Sequence, residues 1–70
     1  MNKIKVYEFS RPFDGLVVID HGEGVLTVLR NGSDLGTGQD FEVLGPKALL
    51  EYRTMESLSA FIVVDGFSVN

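Results

Sequence analysis

The residue with the widest chemical range in this sequence is its single histidine, His21, which lies beside Asp20 and near Glu23 in a glycine-rich turn. Imidazole and carboxylate groups bind metal ions, but a tight site needs about three or four of them in fixed geometry. Groups this close together along the chain do not converge on one ion without help from another strand. The pattern therefore indicates a solvated turn, and we expect no metal site and no cofactor.

Two guanidinium groups, Arg30 and Arg53, are of the type that holds a carboxylate or phosphate in a forked geometry. Together with His21 and Asp40 they are the candidate ligand-binding residues. The alternative is that the arginines pair across strands with glutamates, at ~0.2–1 kcal/mol for each pair. The sequence favours that ion pairing, and no combination of its side chains identifies a catalytic residue.

Charge and composition exclude several classes of protein. The 70 residues carry a net charge of −4, and the few basic residues near the start do not make a face for a nucleic-acid backbone. There is no cysteine, hence no disulfide or thiolate site. No apolar run is long enough to span a membrane, and no signal segment is visible. We expect one cytoplasmic domain, residues 1–70, that binds neither nucleic acid nor membrane.

Alternating apolar residues and frequent turn signals predict an all-β chain of about six strands. The run Leu16–Ile19 is apolar at every position, as expected of a strand buried on both faces. Asn31-Gly32 is a strong signal for a type I′ hairpin, and residues 33–39 are predicted as a turn region. Residues 48–55 suit a helix by composition, but their alternation favours a strand. The predicted strands cover residues 3–9, 16–19, 25–30, 41–44, 48–55 and 58–64.

The first strand is expected to have an apolar face and an aromatic face. Ile4 and Val6 are predicted to face the core, which leaves Tyr7 and Phe9 outward, where with Phe13 they form a candidate interface. The alternative is a strand buried on both sides. A chain this short without disulfide or metal often gains stability by association, so a homo-oligomer is expected. The predicted core is Ile4, Val6, Leu16, Val18, Leu26, Val28, Phe41, Val43, Leu50, Tyr52, Phe61 and Val63.

Residues 14–64 resemble part of the cupin superfamily. The matching features are a buried strand, a glycine-rich turn, a second strand, a short hairpin and a closing strand. They are carried by Leu16 to Ile19, Gly22, Gly24, Val25 to Leu29, Asn31-Gly32, Leu35, Gly38 and Phe41 to Val43. The order is similar to that of short single-domain cupins of the pyrimidine/purine nucleoside phosphorylase type. The resemblance implies a small jelly-roll-like barrel or sandwich that a second subunit completes, but the histidines of the family's metal motif are absent.

These observations favour a non-enzymatic, small β-barrel protein that acts as a binding or regulatory, inhibitory accessory module. It is expected to self-associate and to bind a protein or a small ligand. One alternative is a cupin enzyme like the nucleoside phosphorylases, in which Arg30 or Arg53 binds phosphate. Another is an SH3-like adaptor, which strand order distinguishes from a cupin because SH3-like barrels pair strands sequentially.

Overall fold

A computed structural model describes residues 3–65 of the chain. It contains five β-strands, with two helices between the fourth and the fifth. The elements are β1 (Lys3–Glu8), β2 (Leu16–Asp20), β3 (Val25–Arg30), β4 (Ser33–Gln39), α1 (Asp40–Val43), α2 (Pro46–Ser57) and β5 (Ile62–Asp65).

The strands form one open antiparallel sheet in the order β4-β3-β2-β1-β5. The first four strands pair with their neighbours in sequence, and the helical segment then returns the chain to place β5 beside β1. The prediction of an all-β chain is confirmed in part, because the described residues are mostly β but include two helices and five strands instead of six. Residues 3–65 form no barrel or jelly roll, because the order is that of a meander with one crossover.

The first three predicted strands and the hairpin after them are confirmed. Asn31 and Gly32 have φ angles of 50° and 85°, which a type I′ turn requires, and Arg30 pairs with Ser33 across it. The prediction of a turn over residues 33–39 is wrong, because this segment is β4. Its glycines weaken strand propensity, but the tight hairpin sets its backbone in register with β3. A Cβ atom built at Gly38 lies 3.1 Å from Glu42 Oε1, so this glycine lets α1 approach the sheet.

The predicted strands over residues 41–44 and 48–55 are wrong, because both segments are helical. The backbone N–H of Gln39 donates to Glu42 Oε1 at 2.8 Å and begins α1, a capping pattern with glutamate three residues after the cap. Pro46 occupies the first turn of α2, where its missing N–H costs nothing. Ala48, Tyr52 and Met55 are the buried residues of α2, and their spacing of four and then three is helical.

One face of the sheet, here called the inner face, packs against the helices. Its central contacts join Tyr7 of β1 to Tyr52 of α2, with ring centroids 4.9 Å apart in an edge-on arrangement. Three predicted core residues, Phe41, Leu50 and Val63, are instead exposed. The buried core cluster is Tyr7, Phe9, Leu16, Val18, Leu26, Val28, Leu44, Ala48, Tyr52 and Met55.

The two buried tyrosines resist ionisation. Burial is the main cause that raises the pKa of Tyr7 above 10.0, and the nearby carboxylates of Glu56 and Asp20 add to it. The pKa of Tyr52 is raised for the same reasons. No hydrogen bond of good geometry reaches the buried Tyr7 hydroxyl. Both side chains therefore stay protonated in the folded chain at pH values where an unfolded chain ionises them.

We expect this pair to make the fold sensitive to alkaline conditions. A raised pKa in the folded state means that the contribution to stability is complete below about pH 10 and falls as the pH rises. Once the unfolded chain is ionised, each tyrosine lowers the stability by up to about 1.4 kcal/mol for each further pH unit, until the pH reaches its own pKa in the folded state. Urea unfolding at pH 8 and pH 11 measures the loss, and Tyr7→Phe is expected to reduce it. Equal losses in the two proteins would contradict the assignment to Tyr7.

Candidate functional site

The opposite face of the sheet, here called the open face, is also apolar. Cross-strand pairing places Ile62, Val6, Ile19, Thr27 and Thr37 in one row across all five strands. Side chains alternate between the two faces of a strand, so further residues follow two positions away. The apolar residues of the open face that are half-buried or exposed are Val6, Val17, Ile19, Val25, Leu29, Ile62 and Val64.

The helices do not cover this face, since their buried side chains pack with the inner-face residues of the core cluster. Ile62 is 56% exposed and Val64 is 37% exposed, and both belong to the edge strand β5. Ile4, on the same face, is more shielded at 8% exposed. Apolar patches of a few hundred Å² are about the largest that a single chain exposes, and they often mark interaction surfaces.

Charged groups are confined to the ends of the open face. Glu8 pairs with Val17, and Asp34 pairs with Leu29, so both carboxylates lie at the end of the sheet next to the Asn31-Gly32 hairpin. The central row contains only aliphatic and threonine side chains. The middle of the open face can therefore be removed from water without burying an unpaired charge.

His21 lies at the other end of the open face. Its Nε2 atom is 2.7 Å from Thr27 Oγ1, which is 2.8 Å from Thr37 Oγ1. Thr27 belongs to the central row, so this contact brings the imidazole onto the same face. The three side chains form a polar, hydrogen-bonded corner on a surface that is aliphatic toward β5.

The four predicted ligand-binding residues are not brought together. Arg53 Nη2 donates to Asp40 Oδ2 at 3.5 Å, which joins two of them. Arg53 remains 60% exposed in this pair, so the ion pair stabilises the fold by less than about 1 kcal/mol. His21 precedes β3 and Arg30 ends it, which places these two residues at opposite ends of the strand. Within residues 3–65, no group of three or more His, Asp or Glu side chains is placed to hold a metal ion.

The predicted aromatic interface requires a correction. Tyr7 is fully buried and Phe9 nearly so, because both face the helices in the chain's own core. Phe13 is partly buried and packs edge-on against Phe9, with ring centroids 5.8 Å apart. The first strand thus has the reverse orientation, and Val6 belongs to the open face. The aromatic side of β1 is therefore the inner side, and the all-apolar run Leu16–Ile19 agrees with a sheet that is apolar on both faces.

Comparisons with known proteins identify no relative. No family model, no curated protein and no solved structure matches this chain. The resemblance to cupins therefore stays a prediction. Within the described part of the chain, no helix has the length and apolar character needed to cross a membrane.

Proposed function

We propose that this chain is a non-enzymatic, self-associating interaction module whose open face packs against the open face of a second copy. The observation that carries the proposal is the apolar character of both sheet faces when the chain's own helices cover only one. The scattered positions of His21, Arg30 and the Asp40–Arg53 pair support a binding role over a catalytic one.

A second copy suits this surface for a physical reason. A self-complementary interface brings the same groups together twice, so a face with charges in its centre would repel itself. Each chain carries a net charge of −4, yet the central row of the open face is uncharged. The acidic groups of two copies can therefore stay near the rim and in solvent.

The size of the face sets the expected affinity. Five strands spaced about 4.8 Å apart, with about five residues of 3.4 Å each, outline roughly 400 Å² in each copy. Two copies then bury at least about 800 Å² of flat outline, and more when the uneven surface of the side chains is counted, which is the size of a weak or transient interface. We expect a dissociation constant in the micromolar range.

Such a dimer would complete a two-sheet sandwich from two open sheets, with the helices on its outer sides. This arrangement agrees with the prediction that a second subunit completes the fold. It also leaves the helical surfaces, with exposed Phe41 and Leu50, free for the partner of a regulatory accessory protein.

Native mass spectrometry and sedimentation equilibrium test the proposal on the unmodified protein. The chain has a mass of 7.7 kDa, so we expect a species of twice that mass that dissociates on dilution from about 200 to about 1 µM. A retained small mass would add a ligand to the description. A single 7.7 kDa species across this range would overturn the proposal.

A further inference from the structure

We infer that the two copies meet about a two-fold axis running across the strands, so that each strand lies over its own counterpart and His21 of one copy faces the Glu8 end of the other. This inference rests on the proposed self-association through the open face. It assigns an orientation, and it makes His21 and Glu8 the residues that determine it.

Two face-to-face orientations are consistent with two-fold symmetry. An axis parallel to the strands would place β4 of one copy over β5 of the other. Thr37 would then lie over Ile62 and Thr27 over Val6, so the hydrogen-bonded hydroxyls would face aliphatic side chains. Burying polar groups against hydrocarbon without new partners is unfavourable, so this orientation is disfavoured.

An axis across the strands places chemically similar side chains of the two central rows against each other. Ile62, Val6 and Ile19 meet their own counterparts, and the threonine corner meets a second threonine corner. This rotation also reverses the strand direction of one sheet relative to the other. Aliphatic surface is therefore buried on aliphatic surface, and hydroxyls lie opposite hydroxyls.

The same rotation brings opposite ends of the two sheets together. Glu8 and Asp34 lie at one end of the open face, and His21 lies at the other. In the favoured orientation the acidic end of each copy lies over the histidine end of its partner. In the alternative, acidic ends would lie over acidic ends. Separation of the two acidic ends at the rim therefore selects the same axis as the central packing.

Thr37→Cys provides a direct test, because the chain contains no natural cysteine and Thr37 is exposed. Packed sheets are about 10 Å apart, so an axis across the strands places the two introduced thiols at about that distance. An axis parallel to the strands separates the two thiols by about 19 Å along the sheet. Pairing of the two β5 edges in one continuous sheet separates the two thiols by about 43 Å. We expect a bis-maleimide spanning about 10 Å, the separation of packed sheets, to link the Thr37→Cys dimer.

Two controls make the result decisive. Ser57→Cys, at the end of α2, is an exposed thiol on the helical side and is expected to remain unlinked. Linking in a mixture of Thr37→Cys and Ile62→Cys, without linking in Thr37→Cys alone, would overturn the orientation and leave the proposed dimer intact. A dimer that links in none of these samples would overturn the face-to-face contact itself. Absence of any dimer would overturn both.

A charge exchange tests the pairing of the two ends. His21→Glu places an acidic group opposite Glu8 and is expected to weaken the dimer about three- to tenfold, as rim charges do. Adding Glu8→Lys to His21→Glu is expected to restore the affinity. His21→Gln controls for loss of the contact with Thr27. If Glu8→Lys fails to rescue His21→Glu, the assignment of the facing ends is wrong.

Discussion

Replacing Ile62 with aspartate is expected to weaken self-association by at least about 100-fold while the chain remains folded. Ile62 is 56% exposed in the single chain, so its substitution leaves the core cluster intact. In the proposed dimer the same side chain is buried against aliphatic surface. Only the exposed half of this side chain is newly buried, so the variant loses about 0.8–1.7 kcal/mol for each of the two copies, and it adds two carboxylates that must be desolvated.

Sedimentation equilibrium of Ile62→Asp measures this effect, with circular dichroism to check the fold. The matched control is Leu50→Asp, which introduces the same charge at an exposed leucine on the helical side. Its dissociation constant is expected to stay within about twofold of that of the unmodified protein. Equal weakening by both variants would point to general charge repulsion and contradict the open-face interface.

A second variant distinguishes a dimer contact through the open face from edge pairing through β5. Leu29→Thr changes the open face on β3, two strands away from β1 and distant from β5. It preserves β propensity and is expected to weaken the dimer about tenfold through lost apolar burial. If Ile62→Asp weakens the dimer and Leu29→Thr does not, the contact is edge pairing through β5.

The largest expected effect on folding is that of Tyr52→Ala, at about 3–5 kcal/mol. Tyr52 is 4% exposed and holds α2 against the Tyr7 ring of the sheet. A chain of this size has a total stability of only about 4–10 kcal/mol, so the variant is expected to be partly unfolded at room temperature. Urea unfolding at one fixed protein concentration measures the loss, because association would otherwise change the apparent stability.

Leu50→Ala is the matched control, and it also tests the structure of this segment. In a helix, residues two apart point about 200° apart, so Leu50 faces solvent when Tyr52 faces the core. In the strand that alternation predicted, both side chains would share one face, and both substitutions would be costly. We expect Leu50→Ala to change stability by less than about 0.5 kcal/mol. Similar large losses in both variants would contradict the helix.

The error over residues 48–55 has a physical cause. Leu50 and Tyr52 alternate with charged residues, which imitates an amphipathic strand, and the helical spacing of Ala48, Tyr52 and Met55 is carried by only three positions. Alanine and methionine are weak markers of a buried face. Pro46, which favours the first turn of a helix, is the local signal that identifies this element.

The candidate site was predicted only in part. The polar residues His21, Arg30, Arg53 and Asp40 were found by chemical type, but chemical type does not show whether side chains converge. Only the Asp40–Arg53 pair is formed, because strand register places His21 and Arg30 at opposite ends of β3. The run Leu16–Ile19, apolar at every position, predicted a strand with two apolar faces, but it did not predict that the helices cover only one of them.

The sequence by itself determined the first three strands and the Asn31-Gly32 hairpin, because alternation and positive-φ turns are local properties of the chain. Only the tertiary structure decided which face of β1 is covered. Tyr7 and Phe9 on one face and Ile4 and Val6 on the other are both apolar, so local pattern does not distinguish them. Because α2 packs against the aromatic side of β1, that side is buried and the aliphatic side is left uncovered by the helices.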